Sequence, residues 1–271
     1  MTTDVSTVLP KVAELLGPQL YQACTHNRVV EVRQLTINAT SMELSFVAIA
    51  AASNEAADIV SYCFRDPSRV GIVDSVLFAI VDDKALDSAY RFLVESKLID
   101  VNHEMERTGS VLGNIAGLSK NKRHDLAEYM LKRGASPNER VASEGGWYAL
   151  TAAAGHSDRR MIELFLDHGA QIEGTGALIL ASLTGKEDNV KCLLARGADV
   201  NDMVSLSGSD RSRDKIGPPL HKAVEKGQVG VIDLLLDAGA DTKIRNSKGQ
   251  TAMDVAMERG MDAANTIARL S

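Results

Sequence analysis

Large aromatic side chains are scarce in this chain, at 4% of 271 residues against a hydrophobic share of 45%. A core short of rings has to be filled by Leu, Ile, Val and above all Ala, and small Ala side chains suit closely packed helices. The composition therefore leans all-α. Cysteine is scarcer still: Cys24, Cys63 and Cys192 are odd in number, far apart, and each inside an apolar run. That pattern excludes a disulfide framework and reads as reduced core thiols of an intracellular protein. A basic excess is missing too, since the formal net charge is −6 and the pI is near 5.6. Recognition of a phosphate backbone needs a basic face. The small cluster Arg211, Arg213 and Lys215 is offset by Asp210 and Asp214, so direct nucleic-acid binding is not expected. Long apolar runs are also lacking. The longest uncharged one, 46–52, falls far short of a membrane span. The N-terminus has no basic region ahead of its apolar stretch, which Lys11 and Glu14 interrupt, so no secretory signal is read there. A soluble protein of the cytoplasm or nucleus is the expectation, with no membrane contact.

What the chain does have is a rhythm. Gly-Ala pairs stand at Gly134-Ala135, Gly169-Ala170, Gly197-Ala198 and Gly239-Ala240. Each follows an apolar triplet: Tyr129-Met130-Leu131, Leu164-Phe165-Leu166, Cys192-Leu193-Leu194 and Leu234-Leu235-Leu236. Two residues, at least one charged, separate triplet from glycine, which is the pattern of a helix closed by a left-handed glycine. Upstream of each lies a shorter apolar run with Ala or Ser, such as 150–154, 178–182 and 220–224, often followed by a turn glycine (Gly185, Gly227). Each unit is then a short helix, a tight turn and a longer helix, and neither helix buries its apolar stripe unless the units stack.

These residues resemble the ankyrin repeat. Gly217-Pro218-Pro219-Leu220-His221-Lys222-Ala223 followed by 231–241 is similar to the family signature almost letter for letter, as is 190–201. Residues 246–256, with Gly249, Thr251 and Ala256, resemble a shortened last repeat, and the style around 172–178 is similar to repeats of fungal ankyrin proteins. The resemblance implies an all-α solenoid of helix–turn–helix units with short β-hairpin fingers along one edge of a concave groove. The N-terminal third keeps the rhythm in weaker form, and its Asp100-Val101-Asn102 resembles the close of the Gly197 repeat. We expect an N-terminal cap over 1–18 and about eight units at 19–45, 46–73, 74–102, 110–138, 144–173, 174–201, 214–243 and 246–271, the last a C-terminal cap. An elongated, helix-rich monomer follows from that reading.

The repeat departs from itself in its connections. The steps between Gly134, Gly169, Gly197 and Gly239 are uneven around a family period of about 33 residues. If the helices keep their lengths, the connection at Gly174-Thr175-Gly176 is shortened and its neighbours, 137–146 and 201–218, are long. A notch between longer loops is a natural recess, and loops on a fixed scaffold carry binding function. Its expected walls are Arg140 and Glu144 (with Glu139), Trp147 and Tyr148 at the base of one finger, and Arg211, Arg213, Asp214 and Lys215 on the other. Trp and Arg are typical hot-spot residues. The competing reading of Trp147 is packing against the neighbouring finger. Tyr148 replaces the Thr of the family's Thr-Pro-Leu-His pattern, which removes a local turn hydrogen bond. The segment 204–214, rich in Ser, is expected to be a loop outside the core and the first site of proteolysis.

Chemistry is not found. His103-Glu104-Met105-Glu106-Arg107 begins like a zinc-protease motif, but Arg107 stands where the second His must be. Position 179 is Ile, which removes the third glycine of a dinucleotide loop. His221 fills the family's structural slot, His156 is placed in the turn between helices, His168 at a helix C-terminus, and His103 in a solvated loop. No catalytic residue, metal ligand or cofactor is assigned. The expected function is an interaction scaffold or adaptor that binds a partner protein through the groove and fingers. The alternative is a small-molecule-binding or cryptic catalytic protein (a pathway accessory, cyclase or isomerase) that uses the notch near 174–176.

Overall fold

The computed structural model describes residues 8–65, 71–106, 108–117, 123–140, 147–204 and 217–260. The chain forms two compact units, Met1–Glu106 and Arg107–Ser271. The first holds α1 (Val8–Thr25), α2 (Val29–Leu35), α3 (Ser41–Ser53), α4 (Ala57–Phe64), α5 (Ile72–Asp82), a 3-10 turn (Lys84–Leu86), α6 (Asp87–Glu95) and the short strand β1 (Glu104–Met105). The second holds β2 (Gly109–Ser110), α7 (Val111–Gly117), α8 (His124–Lys132), α9 (Ala149–His156), α10 (Arg159–Asp167), α11 (Ala177–Thr184), α12 (Glu187–Ala195), α13 (Pro219–Lys226), α14 (Val229–Asp237) and α15 (Ala252–Glu258).

In the second unit, α7, α9, α11, α13 and α15 stack on one another as an inner row, and α8, α10, α12 and α14 as an outer row. The Gly-Ala pairs do what their spacing requires. Gly134, Gly169, Gly197 and Gly239 have φ between 87 and 93°, and each closes its outer helix. The following Ala reaches back five residues: Ala135 N donates to Met130 O and Ala198 N to Leu193 O, both at 3.0 Å. Of the inner helices, α9 and α11 are apolar nearly all round and accordingly buried, with 149–155 of α9 and 177–182 of α11 all out of solvent. The inner helices approach so closely that a Cβ on Gly117 would lie 2.5 Å from Ala152 Cβ, and one on Gly155 2.6 Å from Leu180 Cγ.

In the first unit the positions of the turn and capping glycines are held by other residues. Asn27, Glu55 and Lys97 take φ of 52, 58 and 58°, and Leu98 N still donates to Leu93 O at 2.9 Å, the same closure with Lys97 in the glycine's place. The expected boundary between a cap over 1–18 and the first repeat falls inside α1, which is broken at Gly17 (φ 72°, ψ 163°) ahead of Pro18. Residues 1–7 and 261–271 lie outside the described residues, as do 205–216, which include all but the first residue of the expected protease-sensitive segment 204–214.

Candidate partner-binding surface

The described ends of the connection from α8 to α9 pair with one another. Arg140 and Tyr148 form an antiparallel bridge, and Ala149 N donates to Glu139 O at 3.0 Å. Bridged residues share a face, and Arg140 uses it: Nη2 donates to the Tyr148 hydroxyl at 3.0 Å, and the guanidinium sits 4.6 Å from the ring centroid. Trp147, one residue earlier on extended backbone, belongs to the opposite face. Its ring stacks on His156, with centroids 5.8 Å apart and planes 18° from parallel. His156 is the last residue of α9 and not, as the sequence led us to expect, in the turn beyond it. Residues 147 and 156 bracket the helix, and between them Ala152 turns its Cβ toward Gly117 of α7. Ala152 is 4% exposed.

The expected wall is therefore divided. Arg140 and Tyr148 act together, Trp147 pairs with its own helix, and Glu144, Arg211, Arg213, Asp214 and Lys215 lie outside the described residues. Tyr148 makes no capping bond at the start of α9, in contrast to Thr40 and Thr251, each of which closes a reciprocal capping box on its own helix.

The short connection between α10 and α11 turns in Thr175 and satisfies its polar groups. Gly174 and Gly176 take φ of 72 and 73°, conformations that a side chain would strain. Between them Thr175 is 7% exposed. Its hydroxyl donates to Ile172 O at 2.6 Å and its carbonyl accepts from Thr151 Oγ1 at 2.7 Å. Beyond it, Asp202 is held above the usual carboxylate range by burial and by the charges of Asp199 and Glu173.

Two asparagines, which the sequence reading passed over, join successive connections. Asn138 Nδ2 donates to Gly169 O at 3.1 Å while its Oδ1 accepts from Gln171 N at 2.8 Å. Asn201 Oδ1 accepts from Asp241 N at 2.9 Å. Both lie four residues after a capping glycine, and that shared offset is the signal that identifies them. The family slot of His221 is confirmed: Nε2 donates to Gln250 O at 2.9 Å. His168 Nδ1 donates to Leu164 O at 2.9 Å, at the end of α10.

His103 differs from expectation. It is tied down, with Nε2 2.9 Å from Asp74 Oδ1, while Asp74 Oδ2 accepts from Glu106 N at 2.7 Å. The carboxylate in the first turn of α5 thus gathers the loop that a polar sequence alone presents as solvated. His124 and Asp158 repeat the arrangement at 2.8 Å. Among the described residues no group of three or more His, Cys, Asp or Glu is placed to hold a metal ion. Nor is any described helix long and apolar enough to cross a membrane.

Paired helices stacked in two rows define a class, the helical-repeat solenoids. Within it the chain carries ankyrin repeats. Residues 115–204 match the model for ankyrin repeats in three copies, and residues 218–247 match that for a single ankyrin repeat. The B-cell lymphoma 3 protein homolog of Mus musculus is 28% identical over 69% of this chain and 42% of its own length. A putative ankyrin repeat-containing protein of Treponema pallidum is 36% identical over 36% of this chain and 32% of its own length. The chain thus spans less than half the length of these curated relatives. The crystal structure of the ankyrin repeat domain of Bcl-3 superposes with a TM-score of 0.57 at 23% identity, over 71% of this chain and 84% of that one, a likeness of fold. Ankyrin repeats as a class serve in protein–protein interaction.

Proposed function

We propose that the chain is an interaction module that binds a partner protein through the hairpins and inner face of its second unit, with Trp147 as an anchor. One observation carries the reading: the single tryptophan of the sequence is kept out of the core and stacked, half-buried, on His156 at the end of an inner helix. Its position supports a contact role, because the inner helices beneath offer alanine and backbone in place of reactive groups. The Arg140–Tyr148 pair on the other face of the same connection adds a planar cation backed by a ring, a form of arginine favoured at interfaces. Glu144, Arg211, Arg213, Asp214 and Lys215 remain part of the proposed surface on sequence grounds alone.

The test pairs affinity with stability, using the partner recovered by affinity capture from native cells. Trp147→Ala is expected to weaken binding by about thirtyfold, the equivalent of about 2 kcal/mol. The thermal midpoint is expected to move little, because the ring is itself half-exposed and His156, on which it stacks, is exposed. A variant that binds normally, or one whose loss of binding is matched by a collapse of the midpoint, refutes the assignment. Arg140→Ala, read the same way, tests the opposite face.

A further inference from the structure

The first unit carries a second surface, unlike the one above. Asp and Glu outnumber Lys and Arg by 15 to 8 in residues 1–106. Against that background two arginines converge on one open groove of about 480 Å³ between the outer helices α2 and α4, lined by Val29, Arg33, Asp58, Ser61, Tyr62 and Arg65. Arg28, a turn away, is neutralised by Glu31 at 2.8 Å. Neither Arg33 nor Arg65 forms an ion pair among the described residues. The carboxylate in the groove, Asp58, is engaged by Asn27 Nδ2 at 3.4 Å.

Arg33 is also positioned. Its guanidinium lies 5.3 Å from the centroid of the Tyr62 ring. That ring is held in turn by a hydrogen bond of 3.1 Å between its hydroxyl and the hydroxyl of Thr36, a fully buried residue anchored to Val32 O at 2.7 Å. A guanidinium braced on an aromatic face has lost part of its rotamer freedom before any ligand arrives, and its planar fork suits a carboxylate. Arg65 caps the C-terminal end of α4, where a cation is favoured, and stands exposed beside it.

We propose that this groove docks a short acidic segment of a partner protein, whose carboxylates are received by Arg33 and Arg65. Charge complementarity selects the occupant. The groove bears two guanidiniums against one carboxylate, so it attracts an anion, while the surrounding acid excess repels an extended polyanion and limits docking to a few residues. Tyr62 and Val29 supply the apolar floor on which such a segment lies.

The probe is a fluorescein-labelled peptide with six consecutive glutamates, titrated into the full chain at low salt, with a six-lysine peptide and a single-stranded oligothymidine as comparisons. The acidic peptide is expected to bind best, and to bind more weakly as salt is added. The double variant Arg33→Gln with Arg65→Gln is expected to lose about tenfold or more in affinity, the step that corresponds to losing charge-assisted hydrogen bonds. Arg33→Lys keeps the charge without the fork and is expected to fall between the two. The circular dichroism of all three chains is expected to coincide, since both side chains are exposed. If the double Gln variant loses its helix signal, Arg33→Lys alone decides. No binding by the natural chain overturns the proposal. So does unchanged affinity in the variants, or tighter binding of the oligothymidine.

Discussion

At the scale of single residues, the two ends of the chain solve the same backbone problem with different amino acids. Gly134, Gly169, Gly197 and Gly239 occupy the left-handed position that ends an outer helix, and Lys97 occupies it in the first unit. A side chain there costs about 1 kcal/mol relative to glycine, so Lys97→Gly is expected to raise the thermal midpoint by several degrees, as scanning calorimetry would show. The same substitution explains why the N-terminal repeats were hard to read: the marker that gave the others away is missing, while the geometry it marks persists. His221 shows a second local bargain. At Thr40 and Thr251 the N-cap residue donates its N–H to the side chain three positions on, Glu43 and Asp254. In α13 the N-cap is Pro218, which has no N–H, and the buried Nδ1 of His221 has no partner among the described residues. Pro218→Thr restores both the N–H and the hydroxyl, and an increase in stability of about 1 kcal/mol is expected on denaturant titration. Burial holds the His221 imidazole below its ordinary range. The folded chain therefore resists a proton that the unfolded chain accepts. Stability is full above the unfolded value of about 6.5 and is lost as pH falls from there through the folded value. His221→Gln is expected to flatten the fall in midpoint between pH 7.5 and 5.5. An unchanged slope assigns that dependence to other groups.

At the scale of elements, the sequence made the helices legible through their apolar triplets, but it did not show how near they come. The low ring content pointed to close packing. The close approaches of Gly117 to Ala152 and Gly155 to Leu180 are properties of pairs far apart in the chain, which no local pattern displays. Gly155→Ala is expected to destabilise the protein by about 1–3 kcal/mol through overpacking against Leu180, even though alanine is the better helix former. Midpoints of chemical denaturation measure it, and a neutral or stabilising outcome means that α9 and α11 separate at little cost. The candidate surface was only partly legible for a similar reason. Trp147 and Tyr148 are adjacent in sequence and look like one wall, yet extended backbone sends them to opposite faces, one to His156 and the other to Arg140. His103 looked solvated because Asp74, which holds it, is 29 residues away.

At the scale of the whole molecule, the three thiols distinguish the two units, with Cys24 and Cys63 in the first and Cys192 in the second, all buried and none in a disulfide. Burial pushes the Cys24 thiol up to about 11 and raises Cys192 as well, so the folded chain is expected to react with none of its thiols toward a neutral-pH alkylating reagent. Because repeat arrays are coupled only through neighbours, Cys24 and Cys63 are expected to become reactive at lower urea than Cys192, whose unit has glycine at its capping positions. Mass spectrometry of alkylated peptides along a urea series checks the order, and simultaneous labelling shows one cooperative block. The asparagine contacts have a further consequence. Asn201 grips Asp241 and Asn138 grips Gln171 directly, bypassing the chain between the repeats they join. Successive repeats are thus tied by side chains as well as by the link between them. An insertion in the stretch 205–216 is therefore expected to leave the Asn201–Asp241 contact, and the register of the repeats it joins, in place.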